Sequence, residues 1–276
     1  MRPVKPLTYA AVAILLVACT TSPTGRRQFQ LMPESQLEAM GQQTYQEMKK
    51  KQSTVASGPS VTYAACVSNA IIDVVPREYR RDDWEVTVFR SDQVNAFALP
   101  GGKIGIYTGL MKVAETPDQL AAVVAHEVGH VMAEHGNERV SNQLATQLGL
   151  AVASGVAASQ TEHNRELVAL LGLGAQVGIL LPFSRTHERE ADDIGLDLMS
   201  KAGFKPQASV ALWRNMAKEK EGGPPEFLST HPSNQSRIDN LQSQMDGARN
   251  SYRRALSEGR RPNCSRPDSF PSGDGE

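Results

Sequence analysis

Only three cysteines stand among the 276 residues, too few to build a miniature fold from disulfides. Aromatic residues make up 5%, and no block of lysine or arginine occurs. With 29 basic residues against 30 acidic ones, the chain lacks an electrostatic footprint for phosphates, which argues against nucleic acid as a partner. Net charge is too low, and an apolar content of 40% too ordinary, for a disordered chain. Internal repeats are also missing. What remains is a chain long enough for one large domain.

Long apolar runs are scarce. Tyr9 to Ala18 (YAAVAILLVA) is uncharged, but a bilayer-spanning helix takes about 20 residues. The run follows Arg2 and Lys5 and precedes Cys19 and a polar stretch, so residues 1–18 read as a secretory signal. Leu16-Val17-Ala18-Cys19 resembles a bacterial lipobox, and the resemblance implies cleavage before Cys19 and lipidation of its thiol. A soluble secreted protein with a chance cysteine is the alternative. Thr20 rather than Asp follows Cys19; by resemblance to lipoproteins of Gram-negative bacteria, that favours the outer membrane, with the chain facing the periplasm. Two acyl chains make a firm anchor, and residues 19–30 then read as a lipid-anchored tether. In an oxidising periplasm, Cys66 and Cys264 are a reasonable disulfide stapling the C-terminal tail to the first helical region; two unpaired thiols are the alternative. A second run, Leu167 to Phe183, is interrupted by Gln176, three glycines and Pro182, which favours a buried core helix over a membrane span.

Residues 33–51 and 61–75 read as helices. Trp84 to Arg90, Val94 to Leu99 and Lys103 to Thr108 read as strands around the Pro100-Gly101-Gly102 turn, giving a small, mostly antiparallel sheet. Thr116-Pro117-Asp118-Gln119 announces a helix with a Thr cap, Pro at its first position and a capping-box Gln. Further helices are expected over 186–201 and 206–221, and from Ser233 or Asn234 onward. The fold class is α+β, mainly helical, with a catalytic domain over 31–246 and an irregular tail over 247–276.

Inside the capped helix lies His126-Glu127-Val128-Gly129-His130. Helix positions four apart share a face, so both imidazoles can meet one Zn2+ at about 2.0–2.1 Å. Glu127 points beside that face, where it can act as general base on an attacking water. A metzincin would continue with Gly and His where this chain has Ala133 and Gly136, so that class fails. His135, five residues past His130, lies off the ligand face of a continuous helix and reads as a surface residue or one lying behind the ligands. On a later helix, Glu188 and Asp192 are again four apart: one carboxylate can bind metal while the other orients a ligating imidazole. A solvated charged face is the alternative, and Glu190 is the competing ligand on another face. In Ser229-Thr230-His231-Pro232-Ser233, His231 could donate to an oxyanion, or it could be incidental to a capping segment.

Together, His126-Glu-x-x-His130, Ser184-Arg185, Glu188-x-x-x-Asp192, Ser229-Thr230-His231-Pro232 and Arg237-Ile238 resemble the zinc metallopeptidase (gluzincin) family of the CAAX prenyl proteases and HtpX, in particular its periplasmic bacterial lipoprotein members. The resemblance covers about residues 30–245. It implies a zincin-like fold, with His126, His130 and Glu188 as zinc ligands and Glu127 as base and later acid. It implies that Asp192 orients His126 and that Arg237 supports the region. It implies that His231 either stabilises the transition state or occupies the open zinc position at rest. Asn95 and Ala96 resemble the family's active-site edge strand, to which a substrate backbone adds as a strand. The reading is a zinc endopeptidase acting on unfolded or damaged envelope proteins at the outer membrane, with the outer-membrane assembly machinery as a candidate partner. The rivals are a chaperone or assembly factor with a latent zinc site, and a protein whose zinc is structural and closed by His231.

Overall fold

The computed structural model describes residues 19–80, 83–153, 183–216, 226–231 and 235–273. The expected signal segment and all but Phe183 of the expected core helix over 167–183 lie outside these residues. The described part begins with an antiparallel hairpin, β1 (Cys19–Thr21) against β2 (Arg27–Phe29). Two helices follow, α1 (Glu34–Lys51) and α2 (Pro59–Ile72).

Strands β3 (Glu85–Phe89), β4 (Ala96–Leu99) and β5 (Lys103–Tyr107) form one sheet in the order β3-β5-β4. The sheet is mixed. β4 and β5 are a hairpin, so they pair antiparallel, with Ala98 opposite Ile104. β3 then adds to the far side of β5 in parallel, with Val86 also opposite Ile104. Gly101 and Gly102, at φ +78° and +70°, supply the left-handed backbone this tight turn needs. β5 is buried at every residue, as its central place requires, and β4 is left at an edge.

The rest is helical: α3 (Thr108–Val113), α4 (Pro117–Met132), α5 (His135–Ala153), α6 (Arg185–Lys201), α7 (Gln207–Met216), α8 (Glu226–Thr230), α9 (Gln235–Ser243) and α10 (Met245–Ser257). α4 is the central rod. It packs on α2, α6, α7 and β4, and Leu120, Val123, Val124 and Val128 are buried in one core with Ile104 and Ile106. Each such side chain contributes about 1.5–3 kcal/mol by leaving water. Among the described residues, no helix is long and apolar enough to cross a membrane.

Two ends differ from the sequence reading. The tail over 247–276 is not irregular throughout, because most of α10 falls in it. Only Met245, Ala248 and Ala255 of that helix are buried, and so narrow an apolar stripe among arginines leaves the composition looking irregular. Beyond α10 the described residues form no helix or strand. Cys264 is disulfide-bonded to Cys66 of α2, and Arg266 donates to the carbonyls of Met111 and Ala114. At the other end, residues 19–30, read as a tether, form a hairpin that docks on the domain. Gln28 Nε2 donates to the Ala133 carbonyl at 2.5 Å, and the Leu31 N–H donates to Ser141 Oγ at 2.8 Å.

Candidate metal centre

α4 starts as its sequence dictates. Thr116 Oγ1 accepts the Gln119 N–H at 3.2 Å, while Gln119 Oε1 accepts the Glu115 N–H at 2.8 Å, one residue before the cap. α6 is capped likewise by Ser184 Oγ on the His187 N–H. The two helices cross in unusually close contact. A Cβ on Gly195 would stand 2.9 Å from the His126 nitrogen, and one on Gly129 would stand 3.0 Å from the Ala191 carbonyl oxygen. That approach carries Glu188 across to the two histidines of α4.

Four buried donors converge there: His126, His130, Glu188 and His231. His126 Nε2 lies 3.1 Å from His130 Nε2 and 3.3 Å from His231 Nδ1. Glu188 Oε2 lies 3.5 Å from His126 Nε2, and Glu188 Oε1 lies 3.5 Å from His130 Nε2 and 3.0 Å from His231 Nδ1. Ligands held 2.0–2.1 Å from a tetrahedral ion stand about 3.3–3.4 Å apart. The donor set therefore fits a metal ion, with His231 at the fourth corner. His231 is set by its N–H, which donates to the Phe227 carbonyl at 2.8 Å, and by stacking on the Phe227 ring.

Electrostatics support the same use. Burial drives the His130 imidazole well below its usual value, so the ring is neutral as a ligand must be. Burial opposes the charged His126 ring too, but Asp192 and Glu188 outweigh it and lift that imidazole to about 9. A metal has to displace that proton, so its affinity rises with pH. Glu188 is held far below the ordinary carboxylate range: burial would raise it, and the three surrounding imidazoles overcome that. Glu127 goes the other way, raised by burial. Its Oε2 accepts the Ala98 N–H of β4 at 3.2 Å, while its Oε1, buried without a hydrogen bond, lies 3.5 Å from His231 Nε2.

Asp192 and Arg237 stand behind His126. Asp192 Oδ1 lies 3.1 Å from His126 Nδ1, and Arg237 donates to both oxygens of Asp192 at 2.7 Å. Arg237 Nη1 also reaches Glu188 Oε2 at 2.5 Å, and its guanidinium lies over the Trp213 ring. Asn95 and Ala96 sit at the β4 edge and line a groove that runs past Glu127, His130 and His231.

This constellation of an HExxH helix and a crossing Glu-x-x-x-Asp helix lies within residues 63–245, which match the model of peptidase family M48. The chain belongs to peptidase family M48. Among its M48 relatives, the mitochondrial metalloendopeptidase OMA1 of Schizosaccharomyces pombe is 40% identical over 184 residues, 65% of this chain and 51% of that protein. The metalloprotease LoiP of Escherichia coli is 29% identical over 252 residues, 85% of this chain and 94% of that protein. The beta-barrel assembly-enhancing protease of Yersinia pestis is 32% identical over 164 residues, 57% of this chain and 34% of that protein. The chain spans about half the length of the OMA1 relatives it matches from the two yeasts. The resemblance read from the motifs is thus met as membership of M48.

Some residues behind these donors were not legible in the sequence. Of the two readings left open for His135, the structure takes the one behind the ligands: it is fully buried, with Nδ1 2.9 Å from His130 Nδ1. Counting along one continuous helix placed it off the ligand face, but α4 ends at Met132, and Glu134, at φ +50°, turns the chain into α5. Glu190, set aside as a competing ligand, lies behind His135 at 3.0 Å from its Nε2. Glu138, His187 and Arg26 complete this side. Of the six histidines in the chain, five share this cluster, and His163 lies outside the described residues.

Proposed function

We propose that the chain is a zinc-dependent endopeptidase that hydrolyses peptide bonds in unfolded or damaged proteins of the cell envelope. One observation carries the reading: a tetrahedral set of His126, His130, Glu188 and His231 beside a buried Glu127 carboxylate, at the open edge of β4. Two imidazoles and a carboxylate suit zinc. When bound, the ion lowers the pKa of water to about 7 and polarises the scissile carbonyl. Glu127, raised by burial, takes a proton from the attacking water and returns it to the leaving amine. Asn95 and Ala96 offer a strand edge to an extended backbone, which a folded substrate cannot present.

His231 gives the site a latent character. Its Nδ1 takes the corner a substrate needs, so cleavage requires the ring to swing away, after which it is free to donate to the oxyanion. Asp192 and Arg237 hold the His126 side in place throughout. The bacterial relatives named LoiP and beta-barrel assembly-enhancing protease support an envelope location. In this reading Cys19 is the lipid anchor at the periplasmic face of the outer membrane, an assignment that rests on the lipobox-like sequence, and the assembly machinery there is a partner. The test compares wild type with Glu127→Gln for cleavage of an unfolded protein and for bound zinc. Zinc in both, with cleavage about 10²–10⁴-fold slower in the variant, is expected. Zinc in both without cleavage in either would favour a chaperone or a structural metal.

A further inference from the structure

The residues behind His130 form a chain that ends in the N-terminal hairpin. If His130 faces the metal through Nε2, its Nδ1 carries the proton and donates to His135 Nδ1, 2.9 Å away. His135 Nδ1 must then be the bare nitrogen, so its proton sits on Nε2 and donates to Glu190 Oε2 at 3.0 Å. Glu190 is an acceptor only, which fixes the direction of both bonds. Its carboxylate is held by the hairpin: Arg26 Nε donates to Oε2 at 2.6 Å, and the hydroxyls of Ser22 and Thr24 donate to Oε1. The other edge of the Arg26 guanidinium forks onto Glu138, at 2.9 and 2.7 Å. Glu138 in turn accepts from His187 at 3.0 Å, and the His187 ring stacks on His135.

We propose that Arg26, Glu190 and His135 are a positioning relay that fixes the His130 tautomer with its Nε2 lone pair toward the metal, so that the hairpin following Cys19 is a working part of the metal centre. None of the three touches the reacting atoms. The proposal rests on the metal reading above, and it makes the segment next to the expected lipid anchor a determinant of metal affinity. Groups behind a ligating imidazole are typically worth 10–100-fold in affinity.

The test uses the full chain and reads the zinc dissociation constant by chelator competition, together with histidine ring ¹⁵N shifts. His135→Ala and Glu190→Gln should each weaken zinc binding by about 10–100-fold. His135→Asn places a carbonyl oxygen where Nδ1 stood and should restore affinity to within about 3-fold, which a role in packing alone would not do. Arg26→Ala should weaken binding by a smaller factor, because Ser22 and Thr24 still hold Glu190. Zinc affinity within twofold of wild type in both His135→Ala and Glu190→Gln would overturn the relay, as would failure of His135→Asn to restore it. If wild type binds no zinc, the metal reading falls. The ¹⁵N shifts then decide the relay, which requires His130 protonated at Nδ1 and His135 at Nε2.

Discussion

The two histidines of the HExxH helix are backed in contrasting ways. His126 is held directly: one carboxylate, Asp192, touches its ring, and one arginine, Arg237, holds that carboxylate. His130 is held at one remove, through a second imidazole, His135, to Glu190 and then Arg26. Both arms end in a carboxylate and an arginine, and under the proposed relay both would present the same tautomer to a metal. They differ in where their parts come from. The His126 arm uses α6 and α9, within the segment matched by the family, and Arg237 is 3% exposed. The His130 arm closes with a hairpin that precedes that segment, and its arginine side chain is 23% exposed. The molecule thus pairs a fully internal arm with one that an N-terminal segment completes.

Asp192→Ala should separate the two arms most clearly. It leaves the buried Arg237 guanidinium short of a partner, and removing one member of a buried ion pair costs about 3–5 kcal/mol. Chemical denaturation should read that loss, with zinc affinity falling as well. Arg26→Ala, in the more exposed arm, should cost much less stability. Cys66→Ser comes next. It opens a link between residues 198 apart in sequence, and losing a native disulfide costs about 2–5 kcal/mol. The bond lies away from both arms, so the thermal midpoint should fall while zinc affinity stays unchanged. Gly195→Ala follows, at about 1–3 kcal/mol from overpacking against the His126 backbone. Glu188 rides on the displaced helix, so zinc affinity should fall with stability, unlike in Cys66→Ser.

The smallest effect is a pH dependence. Burial would raise the Glu138 carboxyl, but Arg26 and His187 outweigh it and hold it below its ordinary 4.5. A depressed carboxylate stabilises the fold above its unfolded pKa, and the contribution is lost as pH falls through the folded value. The stability gap between wild type and Arg26→Ala should therefore hold steady from pH 7 to about 5 and narrow below about 4.5 in denaturation measured with a chelator present. A gap that widened on acidification would remove Arg26 from this role.

What was readable in the sequence follows the same division. The His126 arm obeys helix arithmetic: His126 and His130 are four apart, as are Glu188 and Asp192, each pair on one face of an unbroken helix. The capped start of α4 and the turn between β4 and β5 were equally local, and so were readable. The His130 arm is not local. His135 reaches its partner only because the helix stops and Glu134 takes a left-handed conformation. Arg26 meets Glu190 across a span of 164 residues, which no periodicity records. The parallel addition of β3 to β5 and the narrow buried stripe of α10 were hidden for a like reason: each depends on a neighbour supplied by distant chain.

The whole arrangement turns on one metal ion bound among His126, His130 and Glu188. Zinc-edge anomalous diffraction from crystals of the zinc-loaded chain tests it directly. A single peak is expected at about 2.0–2.2 Å from Nε2 of both histidines and from a Glu188 oxygen. A peak elsewhere, or none in protein that turns over substrate, would contradict it.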